Sequence, residues 1–360
     1  MSRPKIHQLI VGAAQYDAIT SMAVEIRETL SQHYESKIYA HHMGLDILPE
    51  FIRPLEEIGS GSTDDVLIYH LSFGIPFLTE LVLSRPEKLV VFYHNVTPSS
   101  YYEQLLPEFA EALRYGKTEA GLLCEKAEIA IATSEYNSRE LTLIGYDDVH
   151  VMPSGANPRR LDEVGLDLVF LSELERQFPD GFILFVSQVL PHKKVDHALE
   201  IVHLLRNVHR LNVGLVIAGP IRQPAYEFAI GSLRERLHNT HLLMTNGVTD
   251  SQLATLYRSC LCYIGTSRHE GLSVPPLEAM ANRAPVVVLG AGAVPETVKS
   301  GGIVLPETTG VIKFAEVVAE VITNKSLRGQ LRRRGTARLL EDFNKSSTEQ
   351  LLKLVEKVVL

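Results

Sequence analysis

The amino-acid sequence predicts an α/β protein made of two Rossmann-like domains that face each other across a deep cleft. Short apolar runs alternate with longer helical patterns along the 360 residues, which is typical of parallel sheets covered on both faces. The alternation breaks at 153–158, where prolines and a glycine end an apolar run without starting a helix, and then it restarts. Ligands of open α/β sheets bind beyond the carboxyl ends of the strands, so we expect a site in the predicted cleft.

Six strands are predicted before this break and five after it. They are residues 5–11, 37–40, 66–70, 89–93, 129–133 and 150–152, then 182–186, 215–218, 242–244, 261–265 and 285–289. Helical patterns lie between them, among others at 18–33, 77–84, 101–113 and 138–143. We therefore predict domains at 1–155 and 156–344, with a last helix near 345–360 that crosses back onto the first domain.

The composition is that of a globular protein and argues against several other classes. Hydrophobic residues make up 45% and charged residues 22%, and the net charge of −8 disfavours a general nucleic-acid binder, which needs a basic surface. No apolar run reaches the ~18–20 residues of a membrane span, and the first residues lack the apolar core of a signal peptide. The three cysteines do not make a disulfide framework, so we expect a cytoplasmic protein.

The loop after the first strand argues against a dinucleotide cofactor. A Rossmann fingerprint has the pattern Gly-x-Gly-x-x-Gly, but this chain has Gly12, Ala14 and Asp17 at the three glycine positions. Gly12 alone still allows a phosphate-bearing ligand to approach the backbone, beside the start of the following helix. A simple tight turn is the alternative for Gly12, because glycine is the usual turn residue.

Two lysines follow the first strand of the second domain, in the segment VLPHKKVD (189–196). Lys193 and Lys194 come at the carboxyl end of a parallel strand and directly before a helix, where they suit an anionic ligand. A lysine is unfavourable beside the positive end of a helix dipole, and a bound anion would remove that conflict. A solvated lysine pair is the alternative. His192 and His197 are five residues apart, not the four that place two metal ligands on one helical face, so we predict that they do not bind a metal.

Two glutamates lie either side of a double proline in SRHEGLSVPPLEAMANRAPVVV (267–288). A helix is predicted to start near Val274, because proline fits the first helical turn. Glu270 then lies on the preceding loop and Glu278 in the first or second turn, both facing the same end of the sheet. An acid/base pair would need both at one scissile bond and a metal would need more ligands, so clamps for sugar hydroxyls fit best. Stabilisation of the helix dipole is the alternative for Glu278.

These segments resemble the retaining family 4 of the glycosyltransferases, whose fold is GT-B. The likeness rests on the Glu270-x7-Glu278 spacing followed by GAGAVPETVKSGG (290–302), together with VSQVLPHKKVD, GVTDSQLATLYRSC, ATSEYNSRELTLIGY and MPSGAN. It is strong from about residue 129 to 306 and thin before 66.

The resemblance implies a role for each of these residues. Glu278 corresponds to the glutamate that binds the ribose hydroxyls of a nucleotide diphospho-sugar, and Glu270 to the one that contacts the transferred sugar. Lys193 falls on the phosphate-binding lysine, and His94, in VVFYHNVTP, on the first-domain histidine that contacts the donor sugar. Glu270, His94 and Lys193 are thereby the expected catalytic residues. The other donor-binding positions implied are Gly12, Gln188, Lys194, Val248, Gly271, Leu272 and Ser273.

The implied reaction moves a hexose from GDP-mannose or a UDP-sugar to a hydroxyl acceptor such as a glycan, a glycolipid or a small molecule. It retains the anomeric configuration and needs no metal or other cofactor. The sequence agrees with this, because it has no DxD-like aspartate pair in a suitable loop: the pairs 64–65 and 147–148 precede strands. Ser187-Gln188 stands where the family usually has Gly-Arg, so the leaving group depends more on Lys193 and Lys194. A catalytically silent nucleotide-binding protein and a sugar-nucleotide epimerase are the alternatives.

The segment KSLRGQLRRRGTARL (325–339) is strongly basic. It predicts a solvated helix face, because that is the usual place of a charge run. If the acceptor is a lipid-linked sugar, this surface could instead dock on anionic headgroups at the inner face of a membrane. The expected partners are a nucleotide sugar and a hydroxyl acceptor, without nucleic acid, and the sequence leaves the oligomeric state open.

Overall fold

A computed structural model describes residues 4–15, 17–44, 49–153, 157–221, 223–238, 241–342 and 347–359 of the chain. The chain divides into two compact α/β units. The first unit is Met1–Ala156 together with Lys345–Leu360, and the second is Asn157–Asn344. Residues 154–156, within the break noted in the sequence, lie outside the described residues.

Each unit contains one parallel sheet in the described part of the chain. The strands of the first unit are β1 (Ile6–Ala13), β2 (Ile38–Met43), β3 (Ile52–Pro54), β4 (Val66–Leu71), β5 (Lys88–Tyr93), β6 (Ala127–Ala132) and β7 (Val149–Val151). Those of the second are β8 (Phe182–Val186), β9 (Gly214–Ala218), β10 (Leu242–Thr245), β11 (Cys262–Gly265), β12 (Val286–Leu289) and β13 (Ile303–Leu305).

The strand order is typical of doubly wound sheets and confirms the predicted Rossmann-like architecture. The first sheet runs β3-β2-β1-β4-β5-β6-β7 and the second runs β10-β9-β8-β11-β12-β13. Neighbouring strands are parallel throughout both described sheets. The order reverses between β1 and β4 in one sheet and between β8 and β11 in the other. Such switch points are where open α/β sheets bind ligands, at the carboxyl ends of the strands.

Helices connect these strands, and local sequence determines several of their ends. Those seen among the described residues are α1 (Ala18–Leu30), α2 (Pro76–Ser84), α3 (Pro107–Leu123), α4 (Glu135–Ile144), α5 (Leu168–Gln177), α6 (Val195–Asn207), α7 (Pro224–Arg236), α8 (Asp250–Ser259), α9 (Val274–Ala281), α10 (Val294–Val298), α11 (Val311–Thr323), α12 (Lys325–Asp342) and α13 (Ser347–Val359). Asp17 caps α1, its carboxylate accepting from the Thr20 amide at 2.8 Å. Thr249 and Gln252 form a capping box at α8.

Within the ranges described, no helix has the length and apolar character needed to cross a bilayer.

The last helix packs in the first unit. Leu351, Val355 and Val358 of α13 are buried in a cluster that includes Ile6 of β1. Lys88 Nζ, at the start of β5, also donates to the Val358 carbonyl at 2.7 Å. Burying an aliphatic side chain contributes about 1.5–3 kcal/mol. Helix α13 is therefore an integral part of the hydrophobic core of the first unit.

Three differences from the predicted elements have local causes. Strands β3 and β13, of three residues each, were not predicted, and neither has a continuous run of buried residues. Helix α3 begins at Pro107 and not at 101, because proline at the first helical position has no amide to lose and residues 99–101 form a separate short turn. Strand β11 begins at Cys262 and not at 261, because the chain first leaves α8 at its C-cap, Cys260.

The basic segment 325–339 lies within α12. Residues 332–334 are exposed arginines, as a solvated face requires, whereas Leu331 and Arg338 are buried. Arg338 Nε donates to the Thr297 carbonyl at 3.1 Å, in the last turn of α10, where a cation is favourable. Arg338 is therefore part of the packed interior and does not contribute to the charged surface of this segment.

Glu119 of α3 makes the stability of the chain depend on pH. Its side chain is fully buried, and Oε1 accepts hydrogen bonds from the Tyr69 hydroxyl and from Thr79 Oγ1, both at 2.9 Å. Burial raises the pKa of Glu119 to about 7, against the opposing effect of these hydrogen bonds. The folded chain thus keeps a proton between pH 4.5 and about 7 that the unfolded chain releases. The free energy of unfolding must therefore fall as pH rises through this window.

We expect this contribution to fall by about 2 kcal/mol between pH 5.5 and 8.0. Urea titrations of the wild type and Glu119→Gln at both pH values measure it, because glutamine does not titrate. Glu125→Gln is the control, since Glu125 is exposed. A wild type and a Glu119→Gln variant with the same pH dependence would contradict the assignment.

Candidate functional site

The predicted donor residues of the second unit collect at the carboxyl edge of its sheet. Lys193 ends the short turn after β8, and Glu270 lies on the loop after β11. Glu278 lies in α9, which starts at Val274, as the proline pair predicted. Strands β8 and β11 are neighbours, so the loops that follow them meet. The sheet topology therefore brings these residues of distant sequence to one edge.

Lys193 and Glu270 form an ion pair. Nζ of Lys193 lies 2.8 Å from Oε1 of Glu270, and the two side chains are only 19% and 12% exposed, so water screens the pair weakly. Thr266, fully buried, ties the two loops together by donating to the Lys193 carbonyl at 3.1 Å and the Lys194 carbonyl at 2.9 Å. The ammonium has two further N–H bonds for an anion, and the carboxylate has further lone pairs for hydroxyls.

Glu278 is buried and both of its carboxylate oxygens are held in place. Oε1 accepts from Arg160 Nε at 2.7 Å, and Oε2 accepts from the Tyr257 hydroxyl at 3.0 Å. Arg160 also pairs with Asp250 at 2.5 Å. Burial, and then the charge of Glu278, hold the pKa of Tyr257 well above its usual range, so the phenol stays a donor. Each oxygen keeps acceptor capacity, which makes Glu278 a rigid acceptor for two adjacent hydroxyls.

The loop between the glutamates is supported by the segment before α10. The Glu270 carbonyl accepts from the Ala293 amide at 2.9 Å, and the Leu272 carbonyl accepts from the Thr297 hydroxyl. Gly292 has φ +58°, and a Cβ built there would lie 2.3 Å from the Glu270 carbonyl oxygen. Only glycine fits this position. Gly271 and Leu272 are thereby held in place, followed by Ser273 at φ 70° directly before α9.

Lys194 is placed differently from Lys193. It is in the left-handed region, at φ 56°, and its Nζ pairs with Asp196 Oδ2 at 2.7 Å. Asp196 lies in the first turn of α6, so the negative charge that the helix start requires comes from the chain itself. Lys194 therefore needs no bound anion to offset the dipole of α6. His192, by contrast, is buried, and burial together with Lys193 lowers its pKa well below the usual value.

Gln188 and Val248 complete the predicted donor side. Both are partly buried, and they lie in the loops that follow β8 and β10. The loop of Gln188 packs on Gly219, where φ is +150° and a Cβ would lie 2.1 Å from the Ser187 carbonyl oxygen. The structure thus places Gln188 and Val248 on the same sheet edge as Lys193, without a side-chain contact to it among the hydrogen bonds described.

The first unit carries His94 at the carboxyl edge of its own sheet. His94 directly follows β5, and its Nε2 lies 2.8 Å from Nδ1 of His70 in β4. His70 Nε2 in turn lies 2.9 Å from Oε1 of Gln8 in β1. Burial, and then the neighbouring His70, lower the pKa of His94 well below its usual value, and burial lowers that of His70 to about 3. Both imidazoles are therefore neutral at physiological pH.

Gly12 lies inside β1, where it pairs with His42 of β2. The alternative of a tight turn at Gly12 is therefore wrong, and Gly12 does not lie on the loop after β1 as predicted, because the strand continues to Ala13. A Cβ at Gly12 would make ordinary contacts at 3.8 Å with His42, so the protein alone does not require glycine there.

Sequence reasoning missed four residues that support the site. They are Arg160, Tyr257, His70 and Gln8. The last two carry a signal, because a polar side chain inside the apolar strand segments IHQLIVGA and VLIYHL needs a buried partner. Among the side chains that the structure describes, no three His, Cys, Asp or Glu residues lie together as metal ligands would.

Part of the chain matches a known family model. Residues 173–338 match the model described as Glycosyl transferases group 1, a segment that contains Lys193, Glu270 and Glu278. Among curated proteins, the chain is similar to the serotype-specific mannosyltransferase WbdA of Escherichia coli, at 26% identity over 226 residues, which is 59% of this chain and 26% of WbdA. It is also similar to the alpha-1,3/1,6-mannosyltransferase ALG2 of Homo sapiens, at 26% identity over 230 residues, which is 59% of this chain and 54% of ALG2. The matched segment thus spans about a quarter to a half of these relatives.

A solved structure shares the fold over nearly the whole chain. HepE of Anabaena, in complex with UDP-glucose, matches with a TM-score of 0.76 at 15% identity, covering 98% of this chain and 99% of HepE. At this identity the likeness bears on the fold alone. Together with the two parallel sheets, it confirms the predicted GT-B architecture.

Proposed function

We propose that this chain is a retaining, metal-independent glycosyltransferase, which moves a hexose from a nucleotide diphospho-sugar to a hydroxyl acceptor. The observation that carries the proposal is the arrangement of Lys193, Glu270 and Glu278 at one sheet edge, inside the segment that matches the glycosyltransferase model. An ammonium paired with one carboxylate, beside a second carboxylate held rigid, suits a ligand with both anionic and hydroxyl groups.

Each group has a chemical task in this proposal. Glu278, fixed by Arg160 and Tyr257, accepts hydrogen bonds from the two ribose hydroxyls. Lys193 binds the diphosphate with the N–H groups that Glu270 does not use, and Glu270 accepts from hydroxyls of the hexose. Charge-assisted hydrogen bonds of this kind contribute about 1.5–3 kcal/mol each.

In the proposed reaction the bond between the anomeric carbon and the diphosphate oxygen breaks through an oxocarbenium-like transition state. The acceptor oxygen attacks the same face, and the departing phosphate oxygen takes the acceptor proton, so the anomeric configuration is retained. Lys193 stabilises the negative charge on the leaving group, since Gln188 brings none and Lys194 is paired with Asp196. Catalysis is positioning and electrostatic stabilisation, which need no protein nucleophile.

Mannose from GDP-mannose is the donor that we propose first, with a UDP-sugar as the alternative. The segment VLPHKKVD resembles mannosyltransferases, and WbdA and ALG2 bear that name. HepE is described with UDP-glucose. We propose a cytoplasmic enzyme. If the acceptor is lipid-linked, the arginines 332–334 of α12 would contact anionic headgroups.

Release of nucleoside diphosphate from GDP-mannose and a panel of UDP-sugars, with and without acceptors, tests the proposed function. We expect release that depends on both donor and acceptor, and Glu270→Gln should lower its rate at least ~10-fold, about 1.4 kcal/mol. Glu235→Gln, at an exposed position on α7, is the control. A rate unaffected by Glu270→Gln would remove this carboxylate from the site.

The same assay separates the alternatives. Binding of donor without release of diphosphate would identify a silent nucleotide-binding protein, which the uncharged Gln188 makes the second candidate. Conversion of the donor sugar without acceptor would identify an epimerase. EDTA should leave the rate unchanged, and inactivation that Mg²⁺ or Mn²⁺ reverses would overturn the metal-independent mechanism.

A further inference from the structure

A chain of buried hydrogen bonds crosses the first unit and ends at His94. Nε2 of Gln8 donates to the Ala23 carbonyl of α1 at 2.9 Å. Oε1 of Gln8 lies 2.9 Å from Nε2 of His70, and Nδ1 of His70 lies 2.8 Å from Nε2 of His94. Gln8 and His70 are both fully buried. The chain therefore links the backbone of one helix to the side chain at the carboxyl edge of the sheet.

The donor or acceptor character of each group determines which nitrogen carries the hydrogen in every bond of this hydrogen-bonded series. A backbone carbonyl only accepts, so the amide nitrogen of Gln8 must face Ala23 and the amide oxygen must face His70. An amide oxygen also only accepts, so Nε2 of His70 carries the hydrogen. A neutral imidazole has one N–H, which leaves Nδ1 of His70 as the acceptor for the Nε2–H of His94. The remaining ring nitrogen of His94, Nδ1, then bears a lone pair.

These proton positions require both imidazoles to be neutral. His70 lies in the middle of β4, and all six residues of that strand are buried. Burial lowers the pKa of His70 to about 3, and it also lowers the pKa of His94 well below the ordinary value. Neither ring carries a second N–H near neutral pH, so the direction of the chain is not reversed or interrupted.

The backbone beside His94 is held as firmly as its ring. Asn95, the next residue, is buried in the left-handed region at φ 77°. Its Nδ2 donates to Oδ1 of Asn137 at 2.6 Å and to Oε2 of Glu140 at 3.3 Å. A strained residue fixed by its surroundings is common at functional sites. The position of His94 is thus determined from both sides.

We infer that Gln8 and His70 are positioning residues, which hold His94 in the Nε2–H tautomer so that Nδ1 accepts a hydrogen bond from a hydroxyl of the ligand. The identity of that ligand as a nucleotide sugar rests on the proposed function, whereas the tautomer does not. An acceptor at this place favours a hydroxyl and disfavours a carbonyl, a phosphate oxygen or a fluorine, none of which donates.

NMR of the protein labelled with ¹⁵N in its histidine rings tests the tautomer directly. Protonated and unprotonated ring nitrogens have well-separated ¹⁵N shifts, and comparison with His94→Gln assigns the His94 signals. We expect a protonated Nε2 and an unprotonated Nδ1 at pH 7.5. A protonated Nδ1, or two tautomers of similar population, would overturn the inference. The wild-type spectrum alone decides this.

The role of Gln8 is tested by Gln8→Leu in the same measurement. Leucine removes the acceptor for His70 Nε2–H, so the His94 tautomers should become mixed while near-normal unfolding curves report an intact fold. Gln32→Leu, at an exposed position, is the matched control. Unchanged His94 signals in folded Gln8→Leu would exclude Gln8 from the chain. If this variant does not fold, the wild-type His70 spectrum still decides, since Gln8 requires a protonated Nε2 there.

Binding of fluorinated donors tests the consequence for the ligand. Calorimetry compares GDP-mannose and UDP-glucose with analogues in which one sugar hydroxyl at a time is replaced by fluorine. We expect one position to lose about ten-fold in affinity in the wild type and almost nothing in His94→Ala. Parent-like affinity of every analogue would refute the hydroxyl contact. Failure of GDP-mannose and of every UDP-sugar in the panel to bind would refute the proposed function, and the NMR result would still decide the tautomer.

Discussion

Gly292→Ala should destabilise the second unit and weaken donor binding together. The new Cβ would lie 2.3 Å from the Glu270 carbonyl oxygen and 3.0 Å from the Glu270 amide, both of them backbone atoms that have no rotamer to change. The residue would also be strained at φ +58°. We expect a loss of about 2–5 kcal/mol in unfolding free energy. Movement of the loop separates Glu270 from Lys193, so affinity for the nucleotide sugar should fall more than ~10-fold.

Two other glycines separate the causes of this effect. Gly59 also has positive φ, +68°, but an added Cβ meets nothing within 4 Å, so Gly59→Ala should cost only about 1 kcal/mol. Gly310 lies in the second unit, has ordinary backbone angles and is equally open. Urea unfolding and calorimetry on the three variants make the comparison. If Gly292→Ala resembled Gly310→Ala in both measurements, the close approach to Glu270 would be wrong.

Lys193→Met should lower the affinity for nucleoside diphosphate by at least ~30-fold, about 2 kcal/mol. Methionine keeps the apolar stem and removes the charge that faces Glu270 at 2.8 Å. The variant loses an attraction for the diphosphate and also leaves a weakly exposed carboxylate without its cation, next to an anionic ligand. Isothermal calorimetry with GDP and UDP measures the loss, and Lys325→Met, at an exposed position of α12, is the control.

A double variant divides the effect of Lys193 into its two causes. In Lys193→Met/Glu270→Gln the orphaned charge is absent, so GDP should bind better than to Lys193→Met alone. Lys194→Met should have a smaller effect than Lys193→Met, because Asp196 already pairs with Lys194. Equal losses for the two single lysine variants would contradict the distinct roles that their ion pairs indicate.

The fold was predictable because its signals are local and repeated. Buried parallel strands are continuous apolar runs, and Phe182–Val186 was predicted with the bounds that the structure has. The double proline placed the start of α9 at Val274. The errors were in short or interrupted elements. The three-residue strands β3 and β13 were not predicted, and the helix predicted at 101–113 is interrupted before Pro107.

The candidate site was predictable only in its residue types. Lys193, Glu270 and Glu278 could be proposed from motif spacing. Their contacts depend on which strands are neighbours, and the pairing of β8 with β11 joins segments that are far apart in the sequence. Arg160 is 118 residues from Glu278 in sequence and has no periodic pattern to mark it. Likewise, the partner of Lys194 could have been a ligand or a nearby acid, and only the folded structure identifies it as Asp196.

The return of α13 to the first unit affects how the polypeptide acquires its structure during synthesis. The hydrophobic core of the first unit uses Leu351, Val355 and Val358, which the ribosome adds after the whole of the second unit. The second unit is one continuous stretch, Asn157–Asn344, and all of it is available before that helix emerges. Residues 1–156 of the first unit must therefore wait with Ile6 and its buried neighbours uncovered, and a chaperone that shields apolar surface would act in that interval.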